Sequence, residues 1–241
     1  MAPRIGYPTD GLVDKLGYKR ESDLHISNSF DHDDWTDGFF GDGLDARYPG
    51  EKITGSGSAA VTLTEHSANG FLQLVSGTTE NGYAGQGVGM NWTGDRGVLM
   101  QAIITTPGTI TEWKWECGVT DNDQDAGAVN VKATPSATAA DYGVFVFDTD
   151  DDTSIAFHSA KAGTITATEG ITTCVASTTY RLAVRVQGDN LVAYINGEVV
   201  AEHGNGIEGG SGITPWAFSQ ARNTTSKILK LNRWGMNQPA Y

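Results

Sequence analysis

The sequence predicts an all-β protein, a two-layer antiparallel sandwich preceded by an extended N-terminal arm. Three observations carry this. From Tyr180 to Ala201 the chain reads YRLAVRVQGDNLVAYINGEVVA. Leu182, Val184 and Val186 alternate with Arg181, Ala183 and Arg185, the period of a strand with one buried face. The turn Gln187-Gly-Asp-Asn190 leads to a strand over Leu191–Ile195, and Asn196-Gly197 supplies the two positive-φ residues of a tight hairpin before Glu198–Ala201 returns. Second, the same grammar recurs along the chain. Third, no long segment places apolar residues at helical spacing, and Gly is abundant (31) while Pro is sparse (7).

In chain order, residues 1–29 form the arm. Pro3, Gly6, Pro8, Gly11 and Gly17 interrupt it, its charges are mixed, and it cannot bury enough apolar surface to order itself. Ile5, Tyr7, Leu12, Val13, Leu16 and Tyr18 are its candidate anchoring residues, to be laid against a neighbour or back on the arm's own sandwich. The globular domain spans 30–236, and 237–241 is a short tail. Strands are expected at Ala60–Thr64, Phe71–Val75, Val98–Thr105, Thr111–Val119, Tyr142–Phe147, Thr164–Thr168 and Ile228–Trp234, besides the three above. Between them lie turn clusters such as Ser67-Ala-Asn-Gly70, Asp148-Thr-Asp-Asp-Asp152 and Gly204-Asn-Gly206. The glycine-rich run Gly82–Gly89 lets backbones approach within a sheet. Closing this many strands calls for two stacked layers.

Composition narrows the function. A chain of 241 residues buries roughly 70% of its unfolded surface, so the core needs no disulfide or metal. The net charge of −13 leaves no basic face for nucleic acid. No apolar run approaches membrane-spanning length, and Met1 to Asp23 lacks a signal peptide's apolar core, so the expectation is synthesis in a cytoplasm and exit only as part of something larger. Cys117 and Cys174 are expected to be reduced and partly buried. The five histidines show no pair at ligand spacing, and His66 and His158 are expected on the surface at strand ends.

The segments Phe39-Phe-Gly-Asp-Gly-Leu-Asp-Ala-Arg-Tyr48, Trp113-Lys-Trp-Glu-Cys-Gly-Val-Thr-Asp121, Phe145-Val-Phe-Asp-Thr-Asp-Asp-Asp152 and Tyr194-Ile-Asn-Gly-Glu-Val-Val200 resemble, in that order, the concanavalin A-like (laminin G-like) jelly rolls of tailed-bacteriophage virion proteins. The resemblance covers about residues 30–236. It implies two large antiparallel sheets, one concave, and a virion structural protein assembled in the host cytoplasm: a capsid decoration or head-fibre protein held to capsid or tail proteins through its arm. It also implies a homo-oligomer, with a trimer among the expected states. The alternative is a carbohydrate-binding or receptor-binding module of a tail or adhesin.

Candidate chemistry follows from side-chain placement. On a strand, Glu112, Lys114 and Glu116 share one face and Trp113 and Trp115 the other. The spacing resembles the Glu-x-Asp-x-Glu signature of a glycoside hydrolase family with the same jelly roll, where one Glu is nucleophile and the other general acid. Lys114 stands where that Asp would be. A lysine there lowers both carboxyl pKa values, whereas a general acid needs one raised. The expectation is therefore an ion-paired face and no enzyme. Asp121, Asp123 and Asp125 place carboxylates at alternate positions, an oxygen-rich arrangement that can hold Ca²⁺, but the glycine and glutamate positions of an EF-hand loop are Ala126 and Lys132 here, and the favoured expectation is a solvated turn. Trp35, Trp92 and Trp216, beside turn signals, are the aromatics a sugar ring would stack on; Trp113, Trp115 and Trp234 are expected in the core.

Overall fold

A computed structural model describes residues 35–37, 51–64, 71–122 and 127–238. Sixteen strands follow one another: β1 Trp35–Asp37, β2 Glu51–Thr54, β3 Ala60–Thr64, β4 Phe71–Val75, β5 Tyr83–Gly87, β6 Trp92–Thr93, β7 Val98–Thr105, β8 Trp113–Thr120, β9 Tyr142–Asp148, β10 Ser154–Lys161, β11 Thr164–Thr173, β12 Thr179–Gln187, β13 Asn190–Ile195, β14 Glu198–His203, β15 Gly212–Ala221 and β16 Ile228–Asn237. A single 3₁₀ turn, Gly94–Arg96, interrupts them among the described residues. The expected arm and its anchoring residues lie outside the described residues.

The strands form two antiparallel sheets. The first runs β14-β13-β12-β7-β16-β4-β3, with β1 also on β16; the second runs β11-β10-β9-β8-β15-β5-β2, with β6 on β15. The predicted sandwich is the observed one. Its core lies between the sheets, where Met100, Ile104, Leu182, Val184, Leu231 and Trp234 of the first meet Trp113, Trp115, Phe145, Phe147 and Phe157 of the second. Trp113 packs edge to face on Phe147 at 5.9 Å, and Phe145 does so on Phe157 at 5.3 Å. In β7 the alternation read from the sequence holds, with Val98, Met100, Ala102 and Ile104 inside.

The second sheet departs from that alternation. Strands β8 and β9 are buried at every position, so both of their faces are covered. Two of the strands absent from the sequence reading belong to this sheet's centre. β15 contains Pro215, which reads as a turn because proline lacks a ladder donor. It fits because β15 pairs with β6 only at Gly212 and Ile213 and with β5 only from Ala217 onward, so Pro215 falls in the gap between the two. β10, with the sequence SIAFHSAK, carries polar side chains that are buried here, including His158.

Cys117 and Cys174 are both buried and unlinked. Burial pushes the Cys117 thiol up to about 12 and the Cys174 thiol up to about 11, the latter eased by a hydrogen bond with Trp115. Neither is expected to react with a thiol reagent until the protein unfolds. Titration with a chromogenic disulfide before and after adding denaturant checks this, and a fast-reacting thiol in the native protein would contradict it.

Candidate functional site: the strapped outer face of the second sheet

The cover on β8 and β9 is the segment 127–140, a strap folded back on itself. Val129 pairs with Ala137, the Asn130 N–H donates to the Ser136 carbonyl at 3.1 Å, and the Thr138 N–H donates to the Ala128 carbonyl at 3.1 Å. Ala128, Val129 and Ala139 pack on Tyr142, Val144, Trp216 and Phe218 of the sheet's outer face.

Glu116 pins the base of the strap. Its carboxylate accepts from the Ala128 N–H at 2.7 Å, the Val129 N–H at 3.1 Å, the Trp216 Nε1–H at 3.0 Å and the Lys114 ammonium at 2.7 Å. Both Lys114 and Glu116 are 0% exposed. Lys114 also donates to the Val129 carbonyl and stands 5.0 Å over the Phe218 ring. A buried carboxylate is tolerated only when its lone pairs are filled, and here they are. Gly127 lets the strap pass this close: its φ is +108°, and a Cβ there would lie 2.8 Å from Glu116 Oε1.

Lys132 pins the tip. Fully buried, it reaches Asp152 at 2.6 Å, Asp151 at 2.9 Å and Glu169 at 3.6 Å. Burial works against its charge, but the hydrogen bonds to Asp152 and Asp151 leave its pKa above the ordinary lysine value. Arg222 fastens the side: it grips Asp148 with two nitrogens, reaches Asp150 at 3.3 Å and donates to the Asn130 carbonyl at 3.4 Å. The acidic turn 148–152 is thus the counter-charge to the protein's own Lys132 and Arg222.

Beside the strap runs an aromatic row. Trp216 and Phe218, at alternate positions of β15, stack at 6.0 Å and 17°, and Tyr83 of β5 stacks on Phe218 at 5.7 Å and 28°. Gly85 leaves room for it, since a Cβ there would come within 3.0 Å of the Trp216 ring and 2.8 Å of Ile53. Trp216 lies under the strap, and Tyr83 is half-buried at the open end. Beside it stands exposed Asn81, whose carbonyl accepts from buried Gln220 at 3.3 Å and whose side-chain oxygen accepts from the largely buried Arg222 at 3.4 Å.

The sequence-derived candidates fall elsewhere. Trp92 and Trp216 are 1% and 0% exposed, so neither is presented to a sugar. Trp35 lies in β1, which pairs with β16, and its side chain is outside the described residues. Glu112 is not on β8 at all: it occupies the preceding turn with a φ of +53°, exposed, accepting from Asn223. The Glu112/Glu116 arrangement is therefore taken apart by the fold, one carboxylate outside and the other sealed. Of the Asp121, Asp123 and Asp125 set, the last two lie outside the described residues. Asp121 follows β8 directly and is half-buried, its N–H on the Asp141 carbonyl at 2.8 Å. Burial, with Asp141 nearby, pushes its carboxyl up. Among the described residues no three His, Cys, Asp or Glu side chains converge as metal ligands.

His66 lies outside the described residues, and His158 corrects its expected surface position. It sits in mid-strand on β10, fully buried, with Nε2 2.6 Å from Glu169. His203 of β14 ties the two sheets together, bonding Ser159 of β10 at 2.7 Å and Thr168 of β11 at 2.9 Å. Burial holds both imidazoles below the ordinary value of 6.5; Glu169 opposes this at His158, and the His158 charge adds to it at His203. A histidine depressed in the folded state leaves the unfolded chain binding more protons. Its stabilising contribution is full above 6.5 and is lost as pH falls toward the lowered value. Urea midpoints should thus decline as pH drops from about 7.5 to about 5, and His203→Gln should flatten part of that slope. A midpoint that rises with acidification would contradict the burial of these rings.

With this geometry in hand, comparison places the fold. No family model matches the chain, and no curated protein matches it. Solved structures do. A protein of unknown function from Shewanella oneidensis MR-1 superposes with a TM-score of 0.61 at 13% identity, over 87% of each chain. Peanut lectin does so at 0.58 and 11% identity, over 87% of this chain and 99% of its own. A Bacillus licheniformis β-glucanase follows at 0.55 and 11%, over 85% and 97%. The fold is thus a two-sheet jelly roll, the architecture these lectin and glucanase structures have. The expectation that the chain is no enzyme is corrected by the same finding. Besides that glucanase, an endo-β-1,4-glucuronan lyase from Trichoderma reesei and a glycoside hydrolase of family 16 from Bacteroides ovatus share its fold, so the architecture serves catalysts as well as lectins.

Proposed function

We propose that this chain recognises a carbohydrate on the outer face of its second sheet, with Tyr83 as the ring on which a sugar stacks and exposed Asn81 as the polar group beside it. The observation that carries the reading is the row Trp216–Phe218–Tyr83, which stiffens an accessible aromatic platform with two stacked rings behind it. An aromatic surface with a few convergent polar groups is the usual build of a glycan or small-ligand site. The lectins and glucanases that share the fold support it. A glycan array probed with the full chain, followed by calorimetry on the hits, tests the reading. Tyr83→Ala should weaken binding at least about tenfold, since truncating a rigid aromatic anchor costs more than about 1.4 kcal/mol. An array without hits, or hits indifferent to Tyr83→Ala, would defeat it. A reducing-end assay on the same hits reads any turnover.

The finer placement rests on the motif resemblance: a structural protein of a tailed-phage virion, a capsid decoration or head fibre, fixed through residues 1–29. Deleting those residues should lower occupancy on purified particles. Unchanged occupancy would remove the anchoring role.

A further inference from the structure

We infer that a second copy of this chain docks along the free edge of β11, joining the second sheets of two molecules about a two-fold axis at Thr166. Each sheet leaves two edges open among the described strands: β14 and β3 in the first, β11 and β2 in the second. An edge presents unpaired backbone donors and acceptors, and natural proteins blunt it with charge, shortness or cover. Three of the four are blunted. β14 exposes Glu198 and Glu202, β2 has only four residues and exposes Lys52, and β3 has five residues with Thr62 alone exposed. β11 is ten residues long with seven of them exposed, and it carries neither lysine nor proline. Its one charge, Glu169, is spent on Lys132 and His158.

The pairing pattern of β11 says which part is usable. Phe157 faces Thr168 and Ile155 faces Thr172, so Glu169, Gly170 and Ile171 bulge out opposite Ala156, with Gly170 at a φ of +65°. That leaves Thr164–Thr168 as a regular arm. His203 bonds Thr168 on that arm and Ser159 on the neighbouring strand, so the arm is fixed before any partner arrives.

This arm is complementary to itself. With a two-fold at Thr166, antiparallel pairing sets Thr164 opposite Thr168 of the second copy, Thr166 opposite Thr166, and Ile165 opposite Ala167. Thr164, Thr166 and Thr168 share the face opposite Lys161, Ser159 and Phe157, so threonine meets only threonine there. Ile165 and Ala167 share the other face, so the apolar pair forms on that side. Thr–Thr and aliphatic cross-strand pairs are favourable, and like charges never come opposite. A charged or bulky foreign strand would lack this match.

Sedimentation equilibrium on the full chain tests the inference. The wild type should sediment as a dimer and Thr166→Lys, which sets two ammonium groups face to face across the axis, as a monomer, while Thr166→Val should keep the dimer. Thr166 is exposed, so circular dichroism should show the same fold in all three, the monomeric variant melting lower only by the stabilisation that dimer formation supplies. In parallel, Thr166→Cys should give a disulfide-linked dimer on mild oxidation, faster than the exposed control Ser56→Cys; Cys117 and Cys174 are too buried to compete. A wild-type monomer or trimer, a dimer that survives Thr166→Lys, or cross-linking no faster than the control would each overturn it.

Discussion

Replacing Lys114 with methionine should destabilise the fold by about 3–5 kcal/mol, because it leaves the Glu116 carboxylate buried without its cation. Glu116 cannot escape to water, since the strap and Trp216 seal it. The loss should appear as a lowered urea midpoint. The double variant Lys114→Met with Glu116→Gln should recover much of it, because no formal charge then remains in the site and the amide oxygen can still accept from the strap. A single Lys114→Met variant as stable as wild type would mean that the pair is open to solvent. That would undo the account of the strap.

Trp216→Ala should cost a similar amount, about 3–5 kcal/mol, by leaving a ring-sized cavity between the strap and the sheet. It also removes the indole donor that sits 3.0 Å from Glu116 Oε2. Trp216→Phe separates the two effects. It keeps most of the packing but loses the donor, and should cost about 1–3 kcal/mol. Because Trp216 and Glu116 share that hydrogen bond, combining Trp216→Phe with Glu116→Gln should cost less than the sum of the two singly. Strict additivity in denaturant titrations would show that the indole and the carboxylate do not interact.

The architecture was legible because hairpin chemistry and period-two alternation are local. Asn196-Gly197, Ala60–Thr64 and Phe71–Val75 announce themselves without reference to the rest of the chain. The centre of the second sheet was not legible for the opposite reason. β8, β9 and β15 are buried on both faces because the 127–140 segment that connects β8 to β9 folds back over them, and nothing in a strand's own residues distinguishes a doubly covered strand from a half-exposed one. Pro215 then hid β15, and with β15 went the placement of Trp216, which read as a loop aromatic. Lys114 was expected to neutralise its neighbours and does so for Glu116. Glu112 was lost to it because it takes a positive φ in the turn before β8, which starts only at Trp113. The pattern Trp216-x-Phe218 was the available clue to the aromatic row, two rings on one face of a strand, and Tyr83 could be joined to it only through the register of β5 on β15. The buried His158 was hidden in the same way, since its burial depends on the pairing of β10 with β9 and β11.

The most direct test of the glycan-binding face is an NMR titration of the labelled protein with whichever oligosaccharide the array selects. Amide and side-chain shifts should move at Tyr83, Phe218 and Gln220 and along the neighbouring strap, while the outer face of the first sheet, around Gln101 and Ala183, stays still. Perturbations gathered on the first sheet, with Tyr83 silent at saturation, would place recognition on the wrong side of the sandwich and contradict the proposal.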